Sequence, residues 1–213
     1  MKKNIITMLL LVAATTLYAQ DKLVLIDSAS IAVRKRSSEL SFHDQEMQRL
    51  LMPKDAEFGV ECVPSFEPEW MLTYSPSAHA LIYKVSQENI WYKKSKRYKS
   101  PKVNTYKLAL ADDQAELLRT IWRNAIGQAI DKNAKNFTDE DKQQLNIVHL
   151  DGTKWNFFLD TRRAQSRSTK NPHVAFTNAL MEAVRDGNSQ RMSSLIDEES
   201  QRVVAEPSIQ PSL

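Results

Sequence analysis

The stretch FGVECVPSFEPEWMLTYSPSAHALIYKV, residues 58–85, decides the fold class of this chain of 213 residues. Three runs within it, residues 58–64, 69–74 and 80–85, are rich in β-branched and aromatic residues and are separated by proline, serine and charged residues. A fourth run of this kind follows at residues 102–110. No regular alternation of strand and helix accompanies these runs, so they predict antiparallel strands rather than strand-helix-strand units.

Residues 110–130 show the clearest helical pattern in the sequence. Apolar residues recur there at the three-and-four spacing of one buried face, namely Leu117, Leu118, Ile121, Trp122, Ala125, Ile126, Ala129 and Ile130. Asp113 and Glu116 fit a capping box at the start of this helix. Gly127 weakens the helix and suggests a close approach to the sheet. We expect Trp122, in the middle of the apolar stripe, to be nearly fully buried.

A second well-marked helix lies further along the chain. Asn171 is the expected N-cap, Pro172 occupies the first helical position and Gly187 ends the helix. Its apolar stripe consists of Val174, Leu180, Met181 and Val184. Helical patterns are also present at residues 189–204 and at residues 37–52, the latter with its inward side chains at Leu40, Met47, Leu50 and Leu51.

A hairpin is predicted between these helices. The dipeptide Asp151-Gly152 suits a type I′ turn, and strand-like runs flank it at residues 145–150 and 153–159. Together the elements predict an α+β fold in which an antiparallel β-sheet has helices packed on one face.

The start of the chain predicts export. Residues 1–19 combine two lysines, the apolar run IITMLLLVAATTL and a small residue, Ala19, at a suitable cleavage site. The apolar run is shorter than the roughly 18 residues of a membrane span; a retained N-terminal anchor is the alternative. We therefore expect a periplasmic or secreted protein without a transmembrane segment after cleavage, with one domain at residues 20–200 and a flexible tail at residues 201–213.

The charge of the chain is balanced overall but unevenly distributed. Its 29 basic residues become 27 against 26 acidic ones once residues 1–19 are removed. Residues 89–111, however, carry seven basic side chains and no acidic one. Charge asymmetry of this kind indicates a possible partner and says nothing about the fold. Cys62 is the only cysteine, so no intrachain disulfide can form, and we expect it to be an inert buried thiol.

The basic segment NIWYKKSKRYKSPK, residues 89–102, is the strongest candidate binding site. Aromatic rings among cations form a stacking and charged surface for a polyanion. A second basic run, residues 161–170, would enlarge this patch if the two loops met on one edge. The candidate residues are Trp91, Tyr92, Lys93, Lys94, Lys96, Arg97, Tyr98, Lys99, Arg162 and Arg163. The alternative is a hairpin whose aromatic side chains pack inward while its lysines are solvated at the tip.

Motifs of known enzyme classes are missing from the sequence. It contains no G-x-S-x-G, no H-E-x-x-H and no glycine-rich phosphate loop. The histidines lack the spacing of a zinc site, and residues 138–144 fit a helix start better than a calcium loop. Glu67 and Glu69 are expected to be exposed on a solvated strand face. We therefore predict no cofactor and no metal site.

The order of these features resembles that of many small exported proteins of the Bacteroidota. The shared features are a signal peptide ending before Gln20, then NIWY, AELLRTIW and LDGTKWNFF, and a closing helix, and the resemblance covers roughly residues 60–186. It implies an exported α+β protein and carries over no catalytic residue. The leading hypothesis is a non-enzymatic protein that binds an acidic polymer or protein of the cell envelope, and not nucleic acid. The alternative is a hydrolase acting on envelope or dietary polymers.

Overall fold

The structure is a computed structural model that describes residues 22–26, 42–91, 94–131 and 152–205. Its centre is a seven-stranded sheet in the order β1-β7-β6-β2-β3-β4-β5, and every neighbouring pair is antiparallel. The strands are β1 (Val24–Leu25), β2 (Phe58–Val63), β3 (Trp70–Ser75), β4 (Ala80–Ser86), β5 (Val103–Ala109), β6 (Lys154–Leu159) and β7 (Arg162–Ser166).

Four helices of the described ranges accompany the sheet, which confirms the predicted α+β class. They are α1 (Phe42–Leu51), α2 (Asp112–Gly127), α3 (Pro172–Arg185) and α4 (Ser189–Ala205). The last three share one large core with alternate side chains of the strands, including Leu72 of β3. A smaller cluster joins Met47 and Leu51 of α1 to Met71 and Ile90. Because successive side chains of a strand point to opposite faces, α1 lies against the face that α2, α3 and α4 leave open. The predicted packing on one face therefore holds for three of the four described helices.

Trp122 lies at the centre of the large core, as its position in the helical pattern predicts. Its side chain is 2% exposed, and its indole N–H donates to the carbonyl oxygen of Gly59 at 2.9 Å. The rings of Phe58 and Phe176 lie 5.3 and 6.1 Å from it, centroid to centroid. This packing fastens α2 to β2 and α3 through aromatic contacts as well as buried area.

The start of α2 differs from the prediction. The N-cap is Ala111, two residues before the predicted Asp113, and the side chain of Gln114 accepts a hydrogen bond from the backbone N–H of Ala111 at 3.3 Å. The predicted capping box of Asp113 and Glu116 is therefore wrong, because Asp113 already lies inside the helix.

The glycine that permits a close approach is Gly59 and not Gly127. No atom lies within 4 Å of where a Cβ of Gly127 would stand, so that glycine is at an open helix end. A Cβ on Gly59 would instead overlap the carbonyl oxygen of Leu72 and lie 2.9 Å from the Cα of Thr73. Contact between neighbouring strands therefore requires glycine at position 59.

The helix α3 follows the prediction at both ends. Asn171 accepts hydrogen bonds from the N–H groups of His173 and Val174, at 3.0 and 3.2 Å. Gly187 has a φ of +66°, the left-handed conformation that ends many helices. Local sequence alone thus specifies both ends of the helix, through Asn171 and Gly187.

The second strand of the predicted hairpin at residues 145–159 forms a hairpin with the strand that follows it. Residues 145–150 and Asp151 lie outside the described residues, and β6 pairs with β2 on one edge and β7 on the other. The hairpin is formed by β6 and β7, with Asp160 at a φ of 51° in the turn between them. The expectation that residues 161–170 form a loop is therefore wrong for Arg162–Ser166.

Several other predictions fall on residues that the structure does not describe. These are residues 1–19, residues 138–144, Leu40 and the last part of the predicted tail. The beginning of that tail, residues 201–205, is helical and belongs to α4. No helix within the described ranges is both long and apolar enough to cross a membrane.

Candidate functional site

The basic segment lies in the connection between β4 and β5. We call residues 87–102 the basic loop. Pairing of Ser86 with Val103, and of Trp70 with Val85, places the basic loop at the same end of the sheet as the loop between β2 and β3, residues 64–69. These two loops are therefore neighbours in space although they are distant in sequence.

Tyr98 anchors the basic loop to α1. Its hydroxyl group donates to the carboxylate of Glu46 at 3.1 Å, and its ring packs edge to face on Phe42, 4.9 Å between centroids. Ser100 also donates to Glu46 at 3.1 Å and accepts from Arg49 at 2.6 Å. The hydrogen bond from Arg49 is the largest cause that lowers the pKa of Glu46, to about 2. Tyr98 is thus a supporting residue of the loop rather than part of an open binding surface.

The cations of the basic loop point into solvent. Lys94, Lys96, Arg97 and Lys99 are all exposed. None of them forms an ion pair with a carboxylate of any residue that the structure describes. Their charges therefore remain available to an external anion.

The aromatic side chains of the loop do not all pack inward. Ile90 is buried, but the next residue, Trp91, leaves 61% of its surface exposed. The inward packing expected for a solvated hairpin thus holds for Tyr98 and not for Trp91. Tyr92 and Lys93, the remaining candidates of this segment, lie outside the described residues.

The second basic run does not join the first. Arg162 pairs with Leu159 at the opposite end of the sheet. Arg163 lies with its guanidinium 4.4 Å from the centroid of the Phe158 ring, and burial lowers the pKa of Arg163. Between β7 and β4 there are four strand spacings, about 19 Å at 4.7–4.9 Å each. Arg162 and Arg163 therefore lie apart from the basic loop.

A small concavity opens beside the basic loop. It has a volume of ≈ 260 Å³ and is lined by Pro64, Ser65, Glu69, Asn89, Ile90 and Trp91. Its walls come from the two neighbouring loops at this end of the sheet. Trp91 belongs both to this wall and to the basic loop, so it connects the two features.

Glu69 is a functional candidate that sequence reasoning missed. It is 2% exposed, so the expectation of a solvated glutamate is wrong at this position. One carboxylate oxygen lies 2.9 Å from Nε2 of His43, and the other accepts the backbone N–H of Ile90 at 2.8 Å. A buried carboxylate needs such partners, since an unpaired one would be strongly destabilised. The contact ties α1 to both loops.

His43 carries a positive charge in this pair. Burial alone would lower the pKa of His43, but hydrogen bonds with Asp44 and Glu69 outweigh that effect and raise the pKa to about 9. The sequence contained one signal of this arrangement. His43 precedes Met47 by four residues and Leu51 by eight, so it belongs to the buried face of α1 and requires a buried polar partner.

Asn156 and Cys62, two further residues of the described chain, have structural roles within the sheet. Asn156 donates to Glu61 at 3.1 Å and accepts from Gln165 at 2.7 Å, a bridge across three strands. Cys62 is buried, as predicted, and burial raises the pKa of its thiol. Among the described residues, no group of three or more histidine, cysteine, aspartate or glutamate side chains could hold a metal ion.

Comparison with known proteins gives no family. No protein-family model, no curated protein and no solved structure matches this chain. The function is therefore inferred from the basic loop and the concavity themselves.

Proposed function

We propose that the protein is an exported, non-catalytic binding protein that holds an acidic polymer or protein of the cell envelope on its basic loop. One observation carries this proposal: Lys94, Lys96, Arg97 and Lys99 are exposed and unpaired by the described carboxylates, while Tyr98 between them is fixed to α1. An anchored loop presents its charges at less entropic cost than a free chain would.

The cations contribute little to the fold itself. Exposed charges typically change the free energy of unfolding by less than about 1 kcal/mol each. Four like charges on one loop also repel each other, so their concentration has no evident benefit for stability. An acidic partner supplies the missing counter-charge, and its attraction should weaken as salt shortens the Debye length, to about 8 Å at physiological ionic strength.

The test is the variant Lys94→Glu, Lys96→Glu, Arg97→Glu. Retention on immobilised polygalacturonate and polyglutamate is measured at low and at physiological salt. The parent protein should show salt-sensitive retention on at least one matrix, and the variant should lose it while melting at the same temperature.

A matched control reverses three exposed cations elsewhere, Lys54, Arg123 and Arg162, and so changes the net charge equally. Retention of this control should stay close to that of the parent. Equal losses in both triple variants would show that net charge, and not the basic loop, governs the attraction. No salt-sensitive retention of the parent on either matrix would reject the proposed function.

Export is the second part of the proposal. The lysines, apolar run and Ala19 at the start of the chain support cleavage before Gln20. Mass spectrometry of periplasmic or secreted material should find a chain that begins at Gln20. Recovery of the uncleaved chain from the inner membrane would contradict this part.

Hydrolysis of an envelope or dietary polymer is the second candidate function. One observation favours it, because the buried carboxylate of Glu69 lines the concavity, and buried titratable groups in clefts are frequent at active sites. The assay is release of reducing ends from polysaccharides by the parent and by Glu69→Gln. Release that depends on Glu69 would replace the binding proposal with this one.

A further inference from the structure

We infer that the acidic partner is a polysaccharide and that the concavity of Pro64, Ser65, Glu69, Asn89, Ile90 and Trp91 holds one of its sugar rings. This inference rests on the proposed function and names the class of its partner. It depends on three features of the concavity: an aromatic wall, a set of hydrogen-bonding groups, and direct continuity with the basic loop.

The aromatic wall is provided by Trp91. An indole that leaves 61% of its surface in water forgoes the burial that most large apolar side chains gain. Phe66, in the other loop at this end, is 79% exposed but does not line the concavity. The flat face of an aromatic ring fits the C–H face of a sugar, which is apolar although its edges carry hydroxyl groups. An exposed tryptophan in the wall of a polar concavity therefore suits a carbohydrate.

Hydrogen-bonding groups lie on the remaining walls. Ser65 and Asn89 are exposed. The side-chain amide of Asn89 can donate and accept, and the hydroxyl group of Ser65, which donates to the carbonyl oxygen of Gly152 at 3.4 Å, can also accept. The two carboxylate oxygens of Glu69 provide about four acceptor sites. His43 and the N–H of Ile90 each occupy one of these. The remaining sites can accept sugar hydroxyl groups.

The contact with His43 also reduces the repulsion that the carboxylate of Glu69 would exert on an acidic sugar. An isolated carboxylate would repel an acidic sugar, but Glu69 faces a histidine nitrogen at 2.9 Å and a backbone N–H at 2.8 Å. A cationic ligand is disfavoured for the opposite reason, since the basic loop carries six basic residues and a single acidic one, Glu88. A neutral or acidic sugar meets neither difficulty.

Size and position indicate how a polymer would lie. The volume of ≈ 260 Å³ is below the 300–1,000 Å³ typical of drug-sized ligands, so one monosaccharide unit is the natural occupant. Trp91 precedes Lys94 by three residues, and Lys96 and Arg97 follow. Acidic groups on the adjoining units would then reach the basic loop while one ring stacks on Trp91.

The experiment compares polyanions that have sugar rings with one that has none. Binding of polygalacturonate, alginate and hyaluronan is measured beside that of polyglutamate, for the parent protein and for Trp91→Ala. For at least one polysaccharide the variant should bind about tenfold more weakly, a loss of about 1.4 kcal/mol, while its affinity for polyglutamate stays within about twofold. Trp91→Phe should recover most of the loss, and Phe66→Ala, an exposed aromatic that does not line the concavity, serves as the matched control.

A second measurement isolates the concavity from the basic loop. Uronic acid trimers are titrated at high salt, where the attraction of the loop is screened, and the signal is the difference in tryptophan fluorescence between the parent and Trp91→Phe. A saturable difference signal supports the sugar site, even if reversal of Lys94, Lys96 and Arg97 leaves polymer binding unchanged and so rejects the proposed function. No difference signal, together with equal weakening of all polyanions or of none by Trp91→Ala, would overturn the inference while leaving the basic loop as a general polyanion site.

Discussion

The buried pair of His43 and Glu69 makes the stability of this protein depend on pH in a predictable direction. The pKa of His43 is about 9 in the folded chain, against 6.5 for an unperturbed histidine. The folded state therefore binds a proton more tightly than the unfolded state does. The resulting stabilisation is fully present below about pH 6.5 and is lost as the pH rises through 9.

The magnitude follows from the two pKa values. Each pKa unit corresponds to about 1.4 kcal/mol, so protonation of His43 contributes up to about 3 kcal/mol to the free energy of unfolding. Glu69→Gln keeps an acceptor for the N–H of Ile90 but removes the charge that faces His43. At pH 6 this variant should lose part of that stabilisation, up to about 3 kcal/mol, because Asp44 also raises the pKa of His43.

The assay is urea unfolding followed by tryptophan fluorescence at intervals from pH 6 to pH 9. Parent and variant should differ most at pH 6 and converge towards pH 9, because His43 of the parent loses its proton there. Asp44, whose carboxylate lies 3.8 Å from Nδ1 of His43 and which also raises the pKa of His43, should leave the variant part of the pH dependence of the parent. His79→Asn, at an exposed histidine that contacts Asp112, is the control and should keep the parent profile. A constant difference between parent and Glu69→Gln at every pH would refute the ion pair.

Three further predictions concern the packing of the sheet and its helices, each measured by urea unfolding and by the melting temperature. Trp122→Ala should cost roughly 3–5 kcal/mol, the range for a large aromatic in a packed core, and a variant that melts within a degree or two of the parent would contradict the packing of α2. Gly59→Ala should cost about 1–3 kcal/mol or more, because its Cβ would meet the backbone of β3; Gly127→Ala, at an open position, should be neutral or stabilising. Asn171→Ala removes two hydrogen bonds at the start of α3 and should cost about 0.5–2 kcal/mol; an unchanged melting temperature would show that this cap is dispensable.

Local patterns were sufficient for most elements of the fold. The strands β2 to β5 and the helices α2 and α3 each have a run of side chains whose period matches the element, so neighbours in sequence carried the information. The ends of α3 were predictable for the same reason, since Asn171 and Gly187 act on residues next to them. The class followed from the order of these elements alone.

The strands that pair with β6 could not be predicted from local sequence patterns. The dipeptide Asp151-Gly152 is a local turn signal, whereas the observed pairing joins Asn156 to Glu61 across 95 positions. One feature of the sequence argues against the predicted hairpin. Trp155 and Phe157 contribute to the large core, and Phe158 is buried beside Arg163 on the opposite face. A strand with buried apolar side chains on both faces belongs in the interior of a sheet, where both edges are paired.

Part of the candidate site could be predicted from the sequence, namely the basic loop. The support that α1 gives to this loop could not. The basic loop was visible because its charges are consecutive. Its support was hidden because α1 reaches it from distant positions, through Glu46 to Tyr98 and through His43 and Glu69 to Ile90.

These contacts give α1 a different task from the other helices. The helices α2, α3 and α4 share the large core, whereas α1 contributes to a cluster of four buried side chains, Met47, Leu51, Met71 and Ile90. So small a cluster has little hydrophobic stabilisation to lose. Polar contacts therefore add to the attachment of α1, through His43 to Glu69 and through Glu46 to Tyr98. The face of the sheet that carries the smaller cluster is thus the one that positions the basic loop.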